Sequence, residues 1–165
     1  MRILDLGCGQ GRNSLYAALQ GHEVTGIDIS GTAIDDAKKA CAEEGLDIEF
    51  TNASMQRIPY PDCNFDVVLS VNVMNHGKKQ DIDRYFQEAS RVLDIGGLFY
   101  MHACPEEFEK LVINDKTEQI EPHTFVHIDT PDGDMMHHFF TDEELRETFK
   151  DFTIIETEVV MEKTP

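Results

Sequence analysis

The sequence has few basic residues for its length, and this scarcity excludes one class of partner. Its 165 residues include 14 Lys and Arg against 32 Asp and Glu, so the formal net charge is −18. DNA or RNA would be repelled by this charge unless a local basic stripe existed, and the longest basic runs are the pairs Lys38–Lys39 and Lys78–Lys79. We therefore expect no nucleic-acid partner.

Cysteine motifs and long apolar runs are also missing. The four cysteines, Cys8, Cys41, Cys63 and Cys104, form no C-x-x-C pair, and no charged-then-apolar leader precedes the first apolar run. The most apolar stretch, residues 65–74, is far shorter than the roughly 20 residues that span a bilayer. These absences predict a reduced, cytoplasmic protein that does not enter a membrane.

Short apolar runs alternate with helical patterns through the first hundred residues, and 41% of all residues are hydrophobic, enough for a globular core. Gly21 and Ser30 are typical of a helix end and a helix start, and Asp-Ile-Gly-Gly at 94–97 predicts a turn before the fifth strand. Because parallel strands need crossover connections, the alternation predicts an α/β fold: a Rossmann-like, doubly wound, mostly parallel sheet with helices on both faces. The predicted strands are 2–6, 23–29, 47–51, 65–71 and 98–103.

The last third of the chain breaks this rhythm. Residues 105–140 are polar, hold three prolines and show no sustained hydrophobic period. This pattern predicts a long cap or lid over the edge of the sheet. The capping-box spacing Thr141-x-x-Glu144 predicts a helix over 142–150. The alternating apolar residues of 152–160 predict a sixth strand.

A glycine-rich turn follows the first predicted strand. The motif D-L-G-C-G-Q-G begins at Asp5 and places glycines at 7, 9 and 11, where the absence of Cβ lets the backbone approach a ligand above a helix N-terminus. The dinucleotide motif G-x-G-x-x-G would need glycine at position 12, which is Arg12. The turn predicts a nucleotide-like cofactor of another class.

The spacing D-x-G-x-G-x-G resembles motif I of the class I S-adenosylmethionine-dependent methyltransferases. Asp28 ends the second predicted strand, where the family places an acid that accepts hydrogen bonds from the ribose diol. The segment 91–97, R-V-L-D-I-G-G, resembles the family's entry into the fifth strand. Residues 9–18 and 137–156 resemble small single-domain methyltransferases of the tellurite-resistance and related small-molecule type.

This resemblance implies a single methyltransferase domain over residues 1–165, S-adenosyl-L-methionine as cofactor and a small molecule as methyl acceptor. Ser54 falls where many members carry the aspartate that contacts the adenine, so the contact would come from a hydroxyl or from the Met55 amide. Asn72, at the end of the fourth strand, would meet the methionine portion of the cofactor. The implied cofactor-binding residues are Asp5, Gly7, Cys8, Gly9, Gly11, Asp28, Ile29, Ser54, Met55 and Asn72.

No catalytic residue is fixed by the sequence, because a sulfonium already activates its methyl group and a base is needed only when the acceptor is protonated. His76, His137 and His138 are candidate bases, although surface or hydrogen-bonding histidines are the more common case. No H-E-x-x-H motif occurs, and we expect no metal site.

Two other functions stay open. A truncated or non-catalytic S-adenosylmethionine-binding module is one, because the helix before the first strand and the last strand of the family pattern are not recognisable in the chain. The other is a nicotinamide-dependent oxidoreductase, which would require Arg12 to replace a glycine.

Overall fold

The computed structural model describes residues 1–102, 104–128 and 135–159. Helices and strands alternate as far as residue 102, and a group of short elements follows. The elements are β1 (Arg2–Leu6), α1 (Arg12–Leu19), β2 (Glu23–Asp28), α2 (Gly31–Glu43), β3 (Glu49–Asn52), β4 (Phe65–Val71), α3 (Lys79–Val92), β5 (Leu93–His102), a 3-10 turn (Glu106–Phe108), α4 (Glu109–Val112), β6 (Thr117–Glu121), β7 (Thr124–His127), β8 (Met136–His138) and α5 (Asp142–Thr148).

The main sheet has five parallel strands in the order β3-β2-β1-β4-β5, which confirms the predicted doubly wound fold. Leu4 of the central strand is paired with Thr25 of β2 on one side and with Val68 of β4 on the other. The connections after β1 and β4 leave in opposite directions, so a crevice opens at the carboxyl ends of these two strands. In open α/β sheets, ligands bind at this switch point.

Apolar clusters cover both faces of the sheet, as the helical stripes of the sequence predict. α2 contributes Ile34, Ala37 and Cys41 to one cluster, whose other buried members are Cys8 and Phe50. α3 contributes to a larger cluster on the other face, together with inward side chains of the strands. The buried members of this larger cluster are Leu4, Leu6, Ile27, Ile58, Phe65, Val68, Met74, Ile82, Phe86, Ala89, Val92, Leu93 and Phe140.

The local turn signals have mixed outcomes. Gly21 ends α1 with a positive φ of 82° and donates to the Ala18 carbonyl, and the Ser30 hydroxyl caps α2 by accepting from the Ala33 amide, both as predicted. The prediction of a turn at 94–97 is wrong, because these residues lie inside β5. Leu93 and Leu98 of β5 pair with Phe65 and Val67 of β4, so the residues between them form a bulge.

The segment 105–140 is more ordered than its composition suggests. β6, β7 and β8 form a second, antiparallel sheet, which we call the small sheet. The segment for which a cap or lid is predicted thus contains regular structure in its described residues, while residues 129–134 lie outside the described part. A backbone bond from the His138 amide to the Asn75 carbonyl, 2.8 Å, joins the small sheet to the main body.

The helix α5 confirms the predicted capping box, because the Thr141 hydroxyl accepts from the Glu144 amide at 3.1 Å. The predicted sixth strand at 152–160 is wrong for its described residues. Residues 153–159 pair with no strand in the part of the chain that the structure describes. Alternating side chains favour a strand, but a strand also needs a neighbour that supplies its backbone hydrogen bonds. None of the described helices is long and apolar enough to cross a membrane.

Candidate functional site

The glycine-rich turn between β1 and α1 lies at the switch point of the sheet. Gly7, Gly9 and Gly11 all have positive φ, at 63°, 53° and 81°. A Cβ on Gly7 would lie 2.2 Å from Cγ2 of Val73, so this glycine is required by close packing. A Cβ on Gly9 would meet nothing within 4 Å, so the backbone there faces open space. The turn therefore offers an accessible backbone at Gly9 that a ligand can approach closely.

Asp28 connects the end of β2 to this turn. Its Oδ2 accepts from the Gly9 amide at 2.8 Å, and its Oδ1 accepts from the Ser30 amide at 2.8 Å. The Asn52 side chain, at the end of β3, donates to the carbonyls of Asp28 and Ile29 and so fixes the backbone at the end of β2. Each carboxylate oxygen keeps further acceptor capacity, so Asp28 is able to accept two hydroxyl groups of a diol as well.

Ile29 is the next residue, and 79% of its surface is exposed. A large exposed aliphatic side chain beside a polar cleft suits one face of an aromatic base. Ser54 and Met55 follow β3, the neighbour of β2 in the sheet, and both are half-buried. The Ser54 hydroxyl accepts from the Gln56 amide at 3.2 Å, and the Met55 side chain packs against the larger apolar cluster.

Asp5 lies beneath the turn and is almost fully buried. Its Oδ2 accepts a 2.6 Å hydrogen bond from the hydroxyl of Ser14. Burial raises the pKa of Asp5 to about 6, even though the bonds from Ser14 lower it, and the charge of Asp28 raises it further. Asp5 thus supports the turn from below and changes charge near pH 6.

Cys8 contributes only its backbone to the cleft. Its side chain packs into the cluster beneath α2, and its amide donates to the Ile27 carbonyl at 3.0 Å. Burial raises the pKa of the thiol to about 12, with further increases from Asp5 and Asp28. The thiol therefore stays protonated.

Asn72 follows β4 on the opposite side of the crevice. It is exposed and has a positive φ of 56°, a conformation that asparagine tolerates better than most residues. Its amide donates to the His102 carbonyl at 2.9 Å, and Nδ1 of His102 lies 2.6 Å from its Oδ1. His102 was not a candidate in the sequence because the end of β5 carries no recognisable motif.

The three candidate bases have different surroundings. The rings of His76 and His137 contact each other edge to face, with their centroids 4.7 Å apart, and the His127 ring lies 5.6 Å from that of His137. His138 is buried between the Thr124 hydroxyl, 2.7 Å away, and the Glu144 carboxylate, 2.9 Å away. His138 is therefore a structural link between β7, β8 and α5.

No metal site is present among the described residues, since no group of three His, Cys, Asp or Glu side chains is placed to hold an ion. His123 and His127 are four residues apart, a spacing that would align two ligands on a helix. They flank and end the strand β7 instead, and His123 is paired with Glu109 at 2.8 Å.

A family model described as a methyltransferase domain matches residues 3–97. The chain belongs to this methyltransferase family. The matched residues contain the glycine-rich turn, Asp28 and Asn72. The family uses S-adenosylmethionine as cofactor, and the fit is supported by the open backbone at Gly9 and the accepting carboxylate of Asp28.

Relatives and solved structures agree with this assignment. The ubiquinone biosynthesis O-methyltransferases of Brucella anthropi and Chelativorans sp. are 35% and 32% identical over 101 residues, which is 61% of this chain. The chain spans only about 40% of the length of these relatives. An S-adenosylmethionine-dependent methyltransferase of Methanosarcina mazei aligns with a TM-score of 0.79 and 27% identity, covering 91% of this chain and 77% of the other.

A second structural neighbour shows the same fold at lower identity. The 1,6-didemethyltoxoflavin-N1-methyltransferase of Burkholderia thailandensis, solved with its substrate and S-adenosylhomocysteine, aligns with a TM-score of 0.69 and 19% identity. The alignment covers 91% of this chain and 58% of that one. At this identity the similarity concerns the class I methyltransferase fold.

Proposed function

We propose that this domain binds S-adenosylmethionine at the switch point and transfers its methyl group to a small-molecule acceptor. The observation that carries the proposal is the Asp28 carboxylate, which accepts from the Gly9 amide and stands beside the open backbone of the turn. A carboxylate in this position accepts the two hydroxyl groups of a ribose, and a glycine turn admits the rest of the nucleoside.

The remaining contacts follow from the position of each residue around the crevice. Ile29 would cover one face of the adenine, and Ser54 with the Met55 amide would contact its edge. Asn72 would meet the methionine portion from the β4 side. Asp5 and the backbone of Cys8 would shape the floor, together with Gly7 and Gly11.

When bound, S-adenosylmethionine supplies a methyl group that is already activated by its sulfonium. The protein then has to hold the acceptor in line with that group and keep water away from it. We propose that the small sheet takes part in this task. The bond from the His138 amide to the Asn75 carbonyl, which joins it to the loop that follows β4, supports this role.

Two relatives support a small-molecule acceptor, since one group is named for ubiquinone biosynthesis and one neighbour was solved with 1,6-didemethyltoxoflavin. The net charge of −18 disfavours a nucleic acid as the acceptor. The four free cysteines, two of them buried, support action in the reducing cytoplasm.

Calorimetry with S-adenosylmethionine, S-adenosylhomocysteine and NAD tests the cofactor. We expect the first two to bind and NAD to give no signal, and binding of NAD alone would contradict the proposal. Transfer of a labelled methyl group to a panel of small hydroxyl, amine and thiol compounds tests the reaction. Tight cofactor binding without any transfer would favour a binding module instead.

A further inference from the structure

His76 lies in the loop after β4 and contacts two different parts of the molecule. Its Nδ1 lies 3.2 Å from the Met136 carbonyl of β8, and its Nε2 lies 3.0 Å from the Asn72 carbonyl just after β4. A carbonyl only accepts hydrogen bonds, so both ring nitrogens have to donate. A neutral imidazole carries one N–H group, whereas the imidazolium carries two. Both bonds therefore form together only in the cationic state of His76.

The nearest histidine of the small sheet is compatible with this charge. The ring of His137 contacts that of His76 edge to face, with their centroids 4.7 Å apart, and the His127 ring lies 5.6 Å from that of His137. Burial lowers the pKa of His137, and the charges of His76 and His127 lower it further, although a backbone bond with Met135 raises it. His137 is therefore neutral at neutral pH and does not repel a cation at His76.

Groups on α3 lie on another side of His76. The Tyr85 hydroxyl donates to the His76 carbonyl at 3.3 Å. The Asp81 side chain lies beside Gly77, the next residue along the loop, since a Cβ on Gly77 would be 3.2 Å from Cβ of Asp81. An acidic side chain in this position favours a cation nearby.

Asn72 is held in an uncommon backbone conformation by two histidines. Its φ is 56°, its amide donates to the His102 carbonyl at 2.9 Å, and its Oδ1 accepts from Nδ1 of His102 at 2.6 Å. A neutral imidazole can make this last bond. The remaining contact is the bond from His76 to the Asn72 carbonyl. A residue in a sparsely populated conformation keeps it only when its surroundings fix it, so the conformation of Asn72 depends on the charge of His76.

We propose that His76 is a positioning residue that acts as an imidazolium, linking Asn72 to the small sheet, and that loss of its extra proton breaks this link. A neutral His76 keeps one of its two bonds, so either the Asn72 carbonyl or the Met136 carbonyl loses its partner. The link is a property of the fold. Its effect on the cofactor rests on the proposed function, in which Asn72 meets the methionine portion.

Few other bonds hold the small sheet against this loop. Among the described residues, the His138 amide donates to the Asn75 carbonyl at 2.8 Å, and the Lys79 amide donates to the Glu121 carboxylate at 2.6 Å. Breaking one bond out of three should loosen the junction while the main sheet stays folded.

The decisive experiment compares His76→Arg and His76→Phe with the wild type. A guanidinium offers several N–H donors at every pH, whereas a phenyl ring fills the space without any donor. His22→Gln is the matched control, because His22 precedes β2 at the opposite edge of the main sheet. Each protein is measured at about pH 5.5 and about pH 8.5, below and above the range in which histidines titrate.

Amide hydrogen exchange of the His138 amide reports the junction, and the amides of β1 report the main sheet. In the wild type we expect protection at His138 to fall by about tenfold or more from the lower to the higher pH, relative to β1. His76→Arg should stay protected at both pH values, and His76→Phe should be poorly protected at both. The control should follow the wild type.

The ring N–H protons of His76 supply a readout that needs no substitution. At about pH 5.5 we expect proton NMR to show two slowly exchanging ring N–H signals for His76, because both groups are held in hydrogen bonds. At about pH 8.5 one of the two signals should disappear. A single protected signal at the lower pH would overturn the proposal.

Binding of S-adenosylhomocysteine tests the effect on the crevice. From the lower to the higher pH, the affinity of the wild type should fall severalfold more than that of His76→Arg. Asp5 titrates near pH 6, but it is present in both proteins, as are His127 and His138. Only the difference between the two proteins is therefore assigned to His76.

Equal pH dependence of His138 protection in the wild type and in His76→Arg would overturn the link, because another group would then be responsible. A pH-dependent junction with equal pH dependence of binding in the two proteins would overturn the positioning of Asn72. Failure of the wild type to bind S-adenosylhomocysteine at either pH would instead refute the proposed function. Hydrogen exchange and the ring signals would still decide whether the link exists.

Discussion

At the scale of single residues, Asp28 has two tasks that use the same two oxygen atoms. It fixes the Gly9 and Ser30 amides in the fold, and it is the proposed acceptor for the ribose. Substitution therefore removes a ligand contact and also releases the turn. The effect on binding should exceed that of a single lost hydrogen bond.

We expect Asp28→Ala to weaken binding of S-adenosylhomocysteine at least tenfold, which corresponds to about 1.4 kcal/mol or more. Asp35→Ala is the matched control, because Asp35 is an exposed acid of the neighbouring helix α2. Isothermal titration of both variants measures the difference. Equal dissociation constants for Asp28→Ala and the wild type would remove Asp28 from the site.

Asp5→Asn should stabilise the protein at neutral pH. The folded pKa of Asp5 is raised from 3.8 to about 6, so ionisation of this carboxyl opposes folding, and the stability it provides when protonated is lost as the pH rises from 3.8 through 6. Asparagine still accepts from Ser14 and carries no charge.

At pH 7.5 we expect a gain of about 2 kcal/mol in the free energy of unfolding by urea. The gain should shrink as the pH is lowered from 6 towards 4. A variant that is less stable than the wild type at pH 7.5 would show that the bonds from Ser14 outweigh burial.

The residues of the proposed cofactor site were chosen from the sequence because each has a local signal. The glycine spacing and the acid at the end of β2 are short-range features, and the structure places them together. Asn75 and His102 gave no such signal, since their surroundings depend on the small sheet and on the pairing of β4 with β5. Cys8 shows another limit, because the motif does not tell which face its side chain takes.

At the scale of elements, the small sheet depends on a few side-chain links. His138 bonds to Thr124 on β7 and to Glu144 on α5, and Lys79 of α3 lies 3.4 Å from Glu144. Although burial raises the pKa of Glu144, the hydrogen bond and charge of His138 and the nearby Lys79 lower it overall. The carboxylate is therefore ionised at neutral pH and holds three elements together.

We expect Glu144→Gln to speed amide hydrogen exchange at His138 and Phe140 by tenfold or more, since the variant loses the charge on which His138 and Lys79 depend. Glu143→Gln, at the next and exposed position, should leave the exchange rates unchanged. Identical exchange in the two variants would mean that the backbone bonds alone hold the small sheet.

The N-cap of α5 provides a simpler test of a local rule. Thr141→Ala removes the hydroxyl that accepts from the Glu144 amide and should cost about 1 kcal/mol in the free energy of unfolding. Thr141→Ser keeps the hydroxyl and should stay close to the wild type. Urea unfolding of the two variants decides whether the capping bond forms in solution.

Elements were predictable where periodicity and packing agree, as in α2 and α3. The wrong predictions concern segments in which pairing between strands overrides the conformational preference of the local sequence. Gly96 has a positive φ of 79°, which suits a turn, yet the neighbouring β4 continues the strand around it as a bulge. The small sheet escaped detection because its strands have three to five residues, too few to show a period.

At the scale of the whole molecule, the net charge of −18 means that repulsion among like charges destabilises the folded state. We expect the melting temperature to rise by several degrees as sodium chloride is raised from low to physiological concentration, because salt screens this repulsion. The dependence should weaken as the pH falls towards the range in which carboxylates protonate. A melting temperature that decreases with salt would show that attractive ion pairs dominate instead.

The two hydrogen bonds that Asp28 accepts from the Gly9 and Ser30 amides also have a kinetic consequence. The turn is held in its working shape by bonds to the main sheet, so no loop must be ordered when the nucleoside arrives. The conformational entropy of the turn is already lost when the protein folds, so this cost does not oppose binding of the nucleoside. Encounter with the nucleoside should therefore approach a simple one-step association, whose rate rises linearly with ligand concentration and shows no plateau from a preceding conformational change.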